Sequence, residues 1–248
     1  MCFMRSSVDE LRSAIKRNQK ICVFTGAGIS CPSGIPDFRS AGGIYNIGSF
    51  KGYAPETIIS HSFFRAHTQL FFDYYKSMML FPEAAPNLAH KYFASLEESG
   101  KEITVVTQNI DGLHQAAGSR NVIELHGNVH RNFCMECGAP YGLDYIVESQ
   151  GIPRCMRDGG VIKPDVVLYE ESLDGDNLER AAKAIREAEV LIVVGTSLTV
   201  YPAAGLIGNF FGKKLALINK SSTAYDERAD LVIVGNIVDV VERLLSEP

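Results

Sequence analysis

The sequence predicts an α/β protein built on a doubly wound, Rossmann-like parallel sheet, with a smaller helical and metal-binding domain inserted into it. Short apolar runs alternate with amphipathic segments along most of the chain, which is the pattern of strands joined by crossover helices. The first apolar run, Ile21 to Phe24, stops abruptly in a glycine-rich loop. About 78 residues separate it from the next strand, Ile103 to Val106, so a large insertion leaves the sheet here.

The length, net charge and apolar runs of the chain indicate which classes of protein are excluded. The 248 residues, 46% of them hydrophobic, suffice for one large domain or a domain with a substantial insertion. The net charge of −5 argues against a protein that binds nucleic acid or a membrane surface. No apolar run approaches the roughly 18 residues of a membrane helix, and Met1 to Arg5 is too short for a secretory signal. We therefore expect a cytoplasmic protein.

The first predicted element is an amphipathic helix that ends near Asn18 and covers the sheet, because apolar residues recur there at helical spacing: Val8, Leu11, Ala14 and Ile15. The strand and its glycine loop follow. Gly26 and Gly28 let backbone amides approach a pyrophosphate closely, and Ser30 with Pro32 predicts the start of a helix whose positive end faces the same anion.

This loop matches only half of the dinucleotide fingerprint. Cys31 stands where a third glycine belongs, and neither a second parallel strand nor its acidic residue follows. The glycines could equally serve a plain strand-to-helix turn. Two prolines nevertheless stiffen the continuation of the loop, which displays Asp37, Phe38 and Arg39, and rigid loops with such side chains commonly bind a ligand.

The segment 41–85 is predicted to be a helical insertion. It is rich in aromatic residues on what the spacing predicts to be two helices, and the simplest interpretation is that they form a helix core: Phe63, Phe64, Phe71, Phe72, Tyr74 and Tyr75. A further helix, Asn87 to Glu98, leads back to the sheet.

Polar residues follow the next two strands. Gln108 to His114 comes directly after Thr104 to Thr107, and His126 comes after Val122 to Leu125. Ligands bind at the carboxyl ends of strands in open α/β sheets, so these residues are candidates for a site. The alternatives are that Asn109 and Asp111 cap the helix that starts at Gly112 and that His126 is structural.

From His130 to Pro164 the chain has few long apolar runs and a cluster of possible metal ligands. Cys134 and Cys137 form one Cys-x-x-Cys pair, and Cys155 begins a second in which Asp158 takes the last place. The spacing predicts a small metal-stapled module. The alternative is a decayed site whose thiols are merely buried.

The alternation of helices and strands then resumes. The predicted elements are helix 177–187, strand 190–194, the loop Gly195 to Ser197, a helix from Pro202, strands 214–218 and 231–234, and helix 238–245. We therefore assign residues 1–40, 86–129 and 165–248 to the Rossmann-like domain, and 41–85 with 130–164 to the small domain.

These blocks resemble the sirtuin family of NAD-dependent protein lysine deacylases from about Val8 to Leu245. The motifs that carry the resemblance are Gly26 to Ser30, Ser33 to Arg39, Thr107 to His114, His126-Gly127, Lys163 to Val167, Gly195 to Leu198 and Ile218-Asn219.

The resemblance implies a role for each matching residue. NAD contacts would fall on Gly26, Ala27, Gly28, Ile35, Asp37, Phe38, Arg39, Gln108, Asn109, Ile110, Asp111, Gly195, Thr196, Ser197 and Asn219. Catalysis would fall on His126, as general base, and on Asn109. An extended substrate peptide would lie against Val166, Val167, Glu170, Leu198 and Val200. One structural zinc would be held by Cys134, Cys137, Cys155 and Asp158, although relatives have cysteine at the last place.

The implied reaction uses one water to transfer an acyl group from lysine to the ribose of NAD, and it releases nicotinamide, free lysine and O-acyl-ADP-ribose. Relatives that prefer succinyl or malonyl lysine carry Tyr-x-x-Arg in the helix that here reads Tyr75 to Met78. Because Met78 stands at the arginine position, the chain is expected to prefer neutral acyl groups such as acetyl. Relatives also have a glycine where this chain has Glu170, so its preference among peptides is open.

Three other functions compete with this one. Cys31 and the missing strand and acid disfavour an ordinary NAD oxidoreductase. A non-enzymatic NAD sensor or zinc-ribbon module would not need Asn109, Asp111 and His126 at separate strand ends. Transfer of ADP-ribose to a protein on the same fold is poorly excluded by the sequence.

Overall fold

The computed structural model describes residues 2–40, 42–46 and 48–246. Within them, six strands form a parallel sheet in the order β3-β2-β1-β7-β8-β9. The strands are β1 (Lys20–Thr25), β2 (Glu102–Thr107), β3 (Val122–Glu124), β7 (Val190–Val194), β8 (Lys214–Asn219) and β9 (Leu231–Val234). The chain runs outward from β1 in one direction and from β7 in the other, so the strand order reverses between these two central strands.

Helices cover both faces of this sheet, as a doubly wound fold requires. On one face, alternate residues of the central strands, such as Val23 and Ile192, pack against α1 (Cys2–Arg17), α5 (Leu88–Glu98) and α9 (Ile237–Leu245). On the other face, residues such as Phe24 and Val193 pack against α8 (Gly175–Glu187) and a 3₁₀ helix at Ala203–Asn209. Burial on both faces explains why these strands are continuous apolar runs in the sequence.

The first insertion is mostly helical. It contains α2 (Pro55–Ile58), α3 (His61–Ala66), α4 (Thr68–Tyr74) and one π-helical turn, Tyr75–Met79. The predicted aromatic core is confirmed, because all six aromatic side chains named above are at most 6% exposed.

The second insertion contains an antiparallel sheet of three strands in the described part of the chain, in the order β5-β4-β6. These strands are β4 (Gly127–Cys134), β5 (Pro140–Tyr141) and β6 (Ile162–Val166), and α7 (Leu143–Glu148) packs beside them. The two insertions share one apolar cluster, which contains Phe64, Phe71 and Tyr75 from the first and Ile146 and Ile162 from the second.

Two helix predictions are wrong. After β1 the chain forms two 3₁₀ turns, Ala27–Ile29 and Cys31–Ser33, and Ser30 makes no side-chain cap. Gly34, with φ +88°, ends the second turn in the left-handed conformation. The segment after Pro202 is likewise a 3₁₀ helix, Ala203–Asn209, and Gly205 and Gly208 lie within it. The short α6 (Leu113–Ala116) follows Gly112 as predicted.

Among the described residues, no helix has both the length and the apolar composition needed to cross a bilayer.

Candidate functional site

A cavity of about 630 Å³ opens at the carboxyl ends of the parallel strands, where the order reverses between β1 and β7. This is the expected position of a ligand in an open α/β sheet. All residues that the resemblance assigns to NAD line it: Gly26, Ala27, Gly28, Ile35, Asp37, Phe38, Arg39, Gln108, Asn109, Ile110, Asp111, Gly195, Thr196, Ser197 and Asn219.

Glycines allow the loops after β1 and β7 to interlock at the floor of the cavity. The Gly28 amide donates to the Gly195 carbonyl at 2.8 Å. A Cβ on Gly28 would lie 2.7 Å from Gly195 Cα, and a Cβ on Gly195 would lie 2.4 Å from the Ile29 nitrogen. Gly195 also has φ +63°, which other residues rarely adopt. Because Gly26, Gly28 and Gly195 also line the cavity, this part of the floor is bare backbone, which suits close approach to a pyrophosphate.

Asn219, at the end of β8, has a donor free for a ligand. Its Oδ1 accepts from the Thr196 amide at 3.0 Å, whereas its Nδ2 is buried without a hydrogen-bond partner among the described residues. A buried unpaired donor is costly, and a ligand hydroxyl could satisfy it because Asn219 lines the cavity. The residues present thus fit a dinucleotide: bare backbone for the phosphates and an amide donor for a ribose.

Asn109 and Asp111 follow β2 and are held rigidly. Asn109 is 9% exposed, and its Nδ2 donates to the Gly26 carbonyl at 3.2 Å and to Ser30 Oγ at 3.1 Å. Asp111 Oδ2 accepts from Ser30 Oγ at 2.7 Å, and Oδ1 accepts from the Leu113 amide at 2.9 Å. Asp111 therefore does help to cap α6 while it lines the cavity. Desolvation raises its pKa, and the two hydrogen bonds oppose the rise.

His126 follows β3 and faces the same cavity. Its Nδ1 lies 2.8 Å from the Gln108 carbonyl oxygen, which can only accept, so Nδ1 carries the proton and Nε2 is the basic nitrogen. Desolvation lowers the pKa of His126, although the hydrogen bond to Gln108 works against this. The imidazole is therefore neutral at physiological pH and can accept a proton.

The loop that carries Phe38 and Arg39 closes one side of the cavity. Asp37 Oδ1 accepts from the amides of Arg39 and Ser40 and so fixes the turn. The Phe38 ring packs against Tyr45 at 5.3 Å, and the Tyr45 hydroxyl contacts the Tyr169 hydroxyl at 2.9 Å across the cleft. This contact connects the loop to the segment after β6.

Four of the five residues predicted to bind the peptide line the cavity, namely Val166, Val167, Glu170 and Val200. Leu198 differs: it has φ +55° and is 4% exposed, and its side chain packs into the sheet core, so it can serve a peptide only through its backbone. Glu170 has φ +75°, where a glycine would be unstrained. Its carboxylate accepts from the Ser62 amide at 2.9 Å and from Ser62 Oγ at 3.0 Å.

The residue of the Tyr75 to Met79 turn that lines the cavity is Met79, not Met78. Met78 packs against the cluster that contains Ile44, Ile58 and Phe63. Tyr75–Met79 is a π-helical turn, in which hydrogen bonds are spaced by five residues rather than four.

The four predicted metal ligands converge in the second insertion. The ligand atoms of Cys134, Cys137, Cys155 and Asp158 all lie within 4.8 Å of one another. The Cys137 and Cys155 sulfurs are 3.7 Å apart, and a tetrahedral zinc with bonds of about 2.3 Å puts sulfurs about 3.8 Å apart. Asp158 Oδ1 lies 3.3 Å from the Cys134 sulfur. The donor set and its geometry fit a structural zinc.

The model of the Sir2 family matches residues 26–202. The chain belongs to the Sir2 family. Sirtuin relatives named NAD-dependent protein deacetylase include one from Clostridium acetobutylicum, 53% identical over 96% of this chain and 98% of its own length. Another from Clostridium perfringens is 51% identical over 98% of this chain and 100% of its own.

Solved sirtuin structures agree with the fold. A Sir2 protein with a p53 peptide and NAD+ superimposes with a TM-score of 0.84 at 38% identity, covering 95% of this chain and 96% of that one. A Sir2 protein bound to acetylated peptide gives 0.83 at 36% identity and covers 96% of each chain.

The sequence analysis assigned no role to several polar side chains buried beneath this sirtuin's cavity, chiefly Thr25, His90 and Thr107. His90 stands among apolar residues on the buried face of α5, between Ala89 and Phe93. A histidine at a core position of an amphipathic helix is the signal that could have found it.

Proposed function

We propose that this protein removes acetyl groups from lysine side chains of proteins and consumes NAD in doing so. The observation that carries the proposal is the convergence of Asn109, Asp111 and His126, from two strand ends, on a cavity whose floor is bare glycine backbone. The names of the relatives from Clostridium and the Sir2 structures with NAD+ and acetylated peptide support it.

Bound NAD would supply the ribose carbon that the carbonyl oxygen of acetyl-lysine attacks as nicotinamide leaves. The chain's own residues hold the participants. Gly26 to Gly28 carry the pyrophosphate, and Asn109 and Asp111 orient the nicotinamide and its ribose. His126 takes a proton from a ribose hydroxyl at Nε2, which its Nδ1 contact leaves free. The Phe38 loop keeps water from the reacting carbon until the acyl group has entered.

The peptide adds as a strand along Val166 to Glu170, with Val200 on the other side. Met79 and other apolar residues near the reacting end, including Phe81, Ile110 and Val129, suit a short neutral acyl group. Cys134, Cys137, Cys155 and Asp158 hold one zinc whose role is structural.

We further propose that residues 1–40, 86–129 and 165–248 form the NAD-binding domain and that 41–85 and 130–164 together form the small domain. The apolar cluster that joins Phe64 and Tyr75 to Ile146 and Ile162 supports this division. A cytoplasmic location, where NAD and reduced thiols are present, belongs to the same proposal.

One experiment separates deacetylation from transfer of ADP-ribose to protein, which is the second candidate on this fold. Nicotinamide release is measured with NAD and a peptide in its acetylated and unmodified forms. We expect release only with the acetylated peptide, together with acetyl-ADP-ribose in equal amount. Equal release with both forms, with ADP-ribose attached to the peptide, would favour the transferase.

A further inference from the structure

Beneath the floor of the cavity lies a set of polar side chains in contact with one another, and each is at most 9% exposed. Among the described residues, its members are Thr25, Ser30, His90, Thr107, Asn109 and His114. They come from the ends of β1 and β2, from the loops that follow, and from helices α5 and α6. Polar groups buried at such density need a mutual hydrogen-bond network to offset their lost hydration.

The contacts form a closed ring through Asn109. On one side, Asn109 Nδ2 donates to Ser30 Oγ at 3.1 Å, and Ser30 Oγ lies 3.5 Å from His90 Nε2, the longest of the hydrogen bonds in the ring. On the other side, the backbone N–H of Asn109 donates to Thr107 Oγ1 at 3.0 Å.

The second half of the ring runs through two threonines. Thr107 Oγ1 accepts from Thr25 Oγ1 at 2.9 Å, and Thr25 Oγ1 lies 3.1 Å from His114 Nε2. The rings of His90 and His114 close the circuit edge to face, with centroids 4.9 Å apart.

The hydroxyl protons fix the direction of each contact. Ser30 has one hydroxyl proton, which it gives to the Asp111 carboxylate at 2.7 Å, so it must accept from Asn109 and from His90 Nε2–H. Thr25 likewise gives its proton to Thr107, so His114 Nε2–H donates to Thr25. Both imidazoles are then neutral with the proton on Nε2. Burial lowers the pKa of His90 to about 4 and that of His114 to about 3, which agrees with neutral rings.

The unused nitrogens show that packing alone does not account for this pair. Nδ1 of His90 and Nδ1 of His114 are buried without a hydrogen-bond partner among the described residues. Two apolar side chains of similar size would fill the same space without the cost of desolvating those nitrogens.

We propose that His90 and His114 are positioning residues of the deacetylase: they hold Ser30 and Thr25, and through them fix Asn109 and Asp111 against the nicotinamide end of NAD. The expected effect on deacetylation rests on the proposed function, whereas the proton positions on His90 and His114 do not depend on it.

The main test compares leucine and glutamine at each position, because a glutamine amide can replace the Nε2–H donor and leucine cannot. We expect His90→Leu and His114→Leu to lower kcat for nicotinamide release about tenfold or more, with KM for the acetylated peptide little changed. His90→Gln and His114→Gln should recover most of the loss. Phe93→Leu, in the apolar core on the same helix, is the control for lost stability.

A double-mutant cycle tests the route through Ser30. If His90 acts through Ser30, adding His90→Leu to Ser30→Ala should reduce kcat little further. Three results would each overturn the positioning role. The losses in kcat could be additive in the cycle, the glutamine variants could be no more active than the leucine variants, or Phe93→Leu could lose as much kcat at the same Tm.

Nitrogen-15 NMR of the histidine rings gives a readout that needs no turnover. We expect both rings to be neutral Nε2–H tautomers at pH 7 in the unliganded protein, and an Nδ1–H tautomer on either would overturn the inference. An inactive wild-type enzyme would refute the proposed function. The NMR tautomers of His90 and His114 would still show whether the hydrogen-bond ring has the proton positions inferred above. An active enzyme insensitive to both leucine variants would refute this inference alone.

Discussion

The Nδ1 atom of His126 lies 2.8 Å from the carbonyl oxygen of Gln108, the residue next to Asn109. This single contact joins the end of β3 to the loop after β2 and sets the tautomer of the imidazole. The proposed base and the residues proposed to orient the nicotinamide ribose are therefore held in register by one backbone carbonyl.

Replacing His126 with alanine should lower kcat for deacetylation by roughly 10²- to 10⁴-fold, because a positioned base contributes about that much. The affinity for NAD should change little, since the floor of the cavity is untouched. Calorimetric titration with NAD and an acetyl-peptide assay check the two parts. His67→Ala, outside the cavity, is the matched control, and near wild-type turnover by His126→Ala would remove His126 from the role.

The pH profile should reflect the lowered pKa of His126. The base must be neutral to accept a proton, so activity rises as pH passes upward through its pKa. Because desolvation lowers that pKa below 6.5, the rising limb of kcat/KM should have its midpoint below pH 6.5. A rising limb centred well above 6.5 would contradict the assignment.

Replacing Asp111 with asparagine should abolish both nicotinamide release and the exchange of labelled nicotinamide into NAD. The substitution removes the charge and leaves one oxygen to accept the bonds from Ser30 and Leu113. Exchange does not require the later deacylation steps, so its loss places the defect at the first step. The control is Asp144→Asn, exposed on α7; unchanged exchange in Asp111→Asn would disprove the assignment.

Acetyl-lysine peptide should be turned over far faster than the same peptide carrying succinyl-lysine. Met79 lines the cavity, and a thioether cannot compensate a buried carboxylate, whose unpaired burial costs several kcal/mol. The kcat/KM values for the two peptides decide the matter, and a clear preference for succinyl would contradict the prediction. The residue that lines the cavity is Met79 and not Met78. Because both are methionines, the expected preference for neutral acyl groups is unchanged.

Zinc should be bound by the wild-type protein and released more readily than from a four-cysteine site, because an aspartate oxygen replaces a soft thiolate. Metal analysis after mild chelation should find that Asp158→Cys retains more zinc than the wild type, and that Asp158→Ala retains less. Full retention by Asp158→Ala, or no zinc in the wild type, would show that Asp158 is not a working ligand.

The central strands and their ligand-binding ends could be predicted because they depend on local patterns. A strand buried on both faces, such as β7, is a continuous apolar run. Once β1, β2 and β7 are known to be parallel, Gly26, Asn109 and Gly195 must meet at one edge of the sheet.

What the sequence could not predict depends on backbone geometry or on contacts distant in the chain. Leu198 has a positive φ and a buried side chain, and Met79 rather than Met78 lines the cavity from a π turn. The loop after β1 has the composition of a helix start, but Gly34 ends its second turn after three residues. The contact between His90 and His114 joins two helices, and no local pattern reports it.

Strand β4 begins at Gly127, directly after the proposed base, and ends at Cys134, a zinc ligand. Because Gly127 pairs with Val166 and Cys134 with Ile162, β4 is tied to β6 at both ends. Metal loss would remove the cross-link beyond the far end of this pairing and loosen the strand that follows the base, while leaving the six-stranded sheet intact. A preparation with incomplete zinc would then be a mixture of two populations that differ in activity, and its specific activity would rise with the metallated fraction.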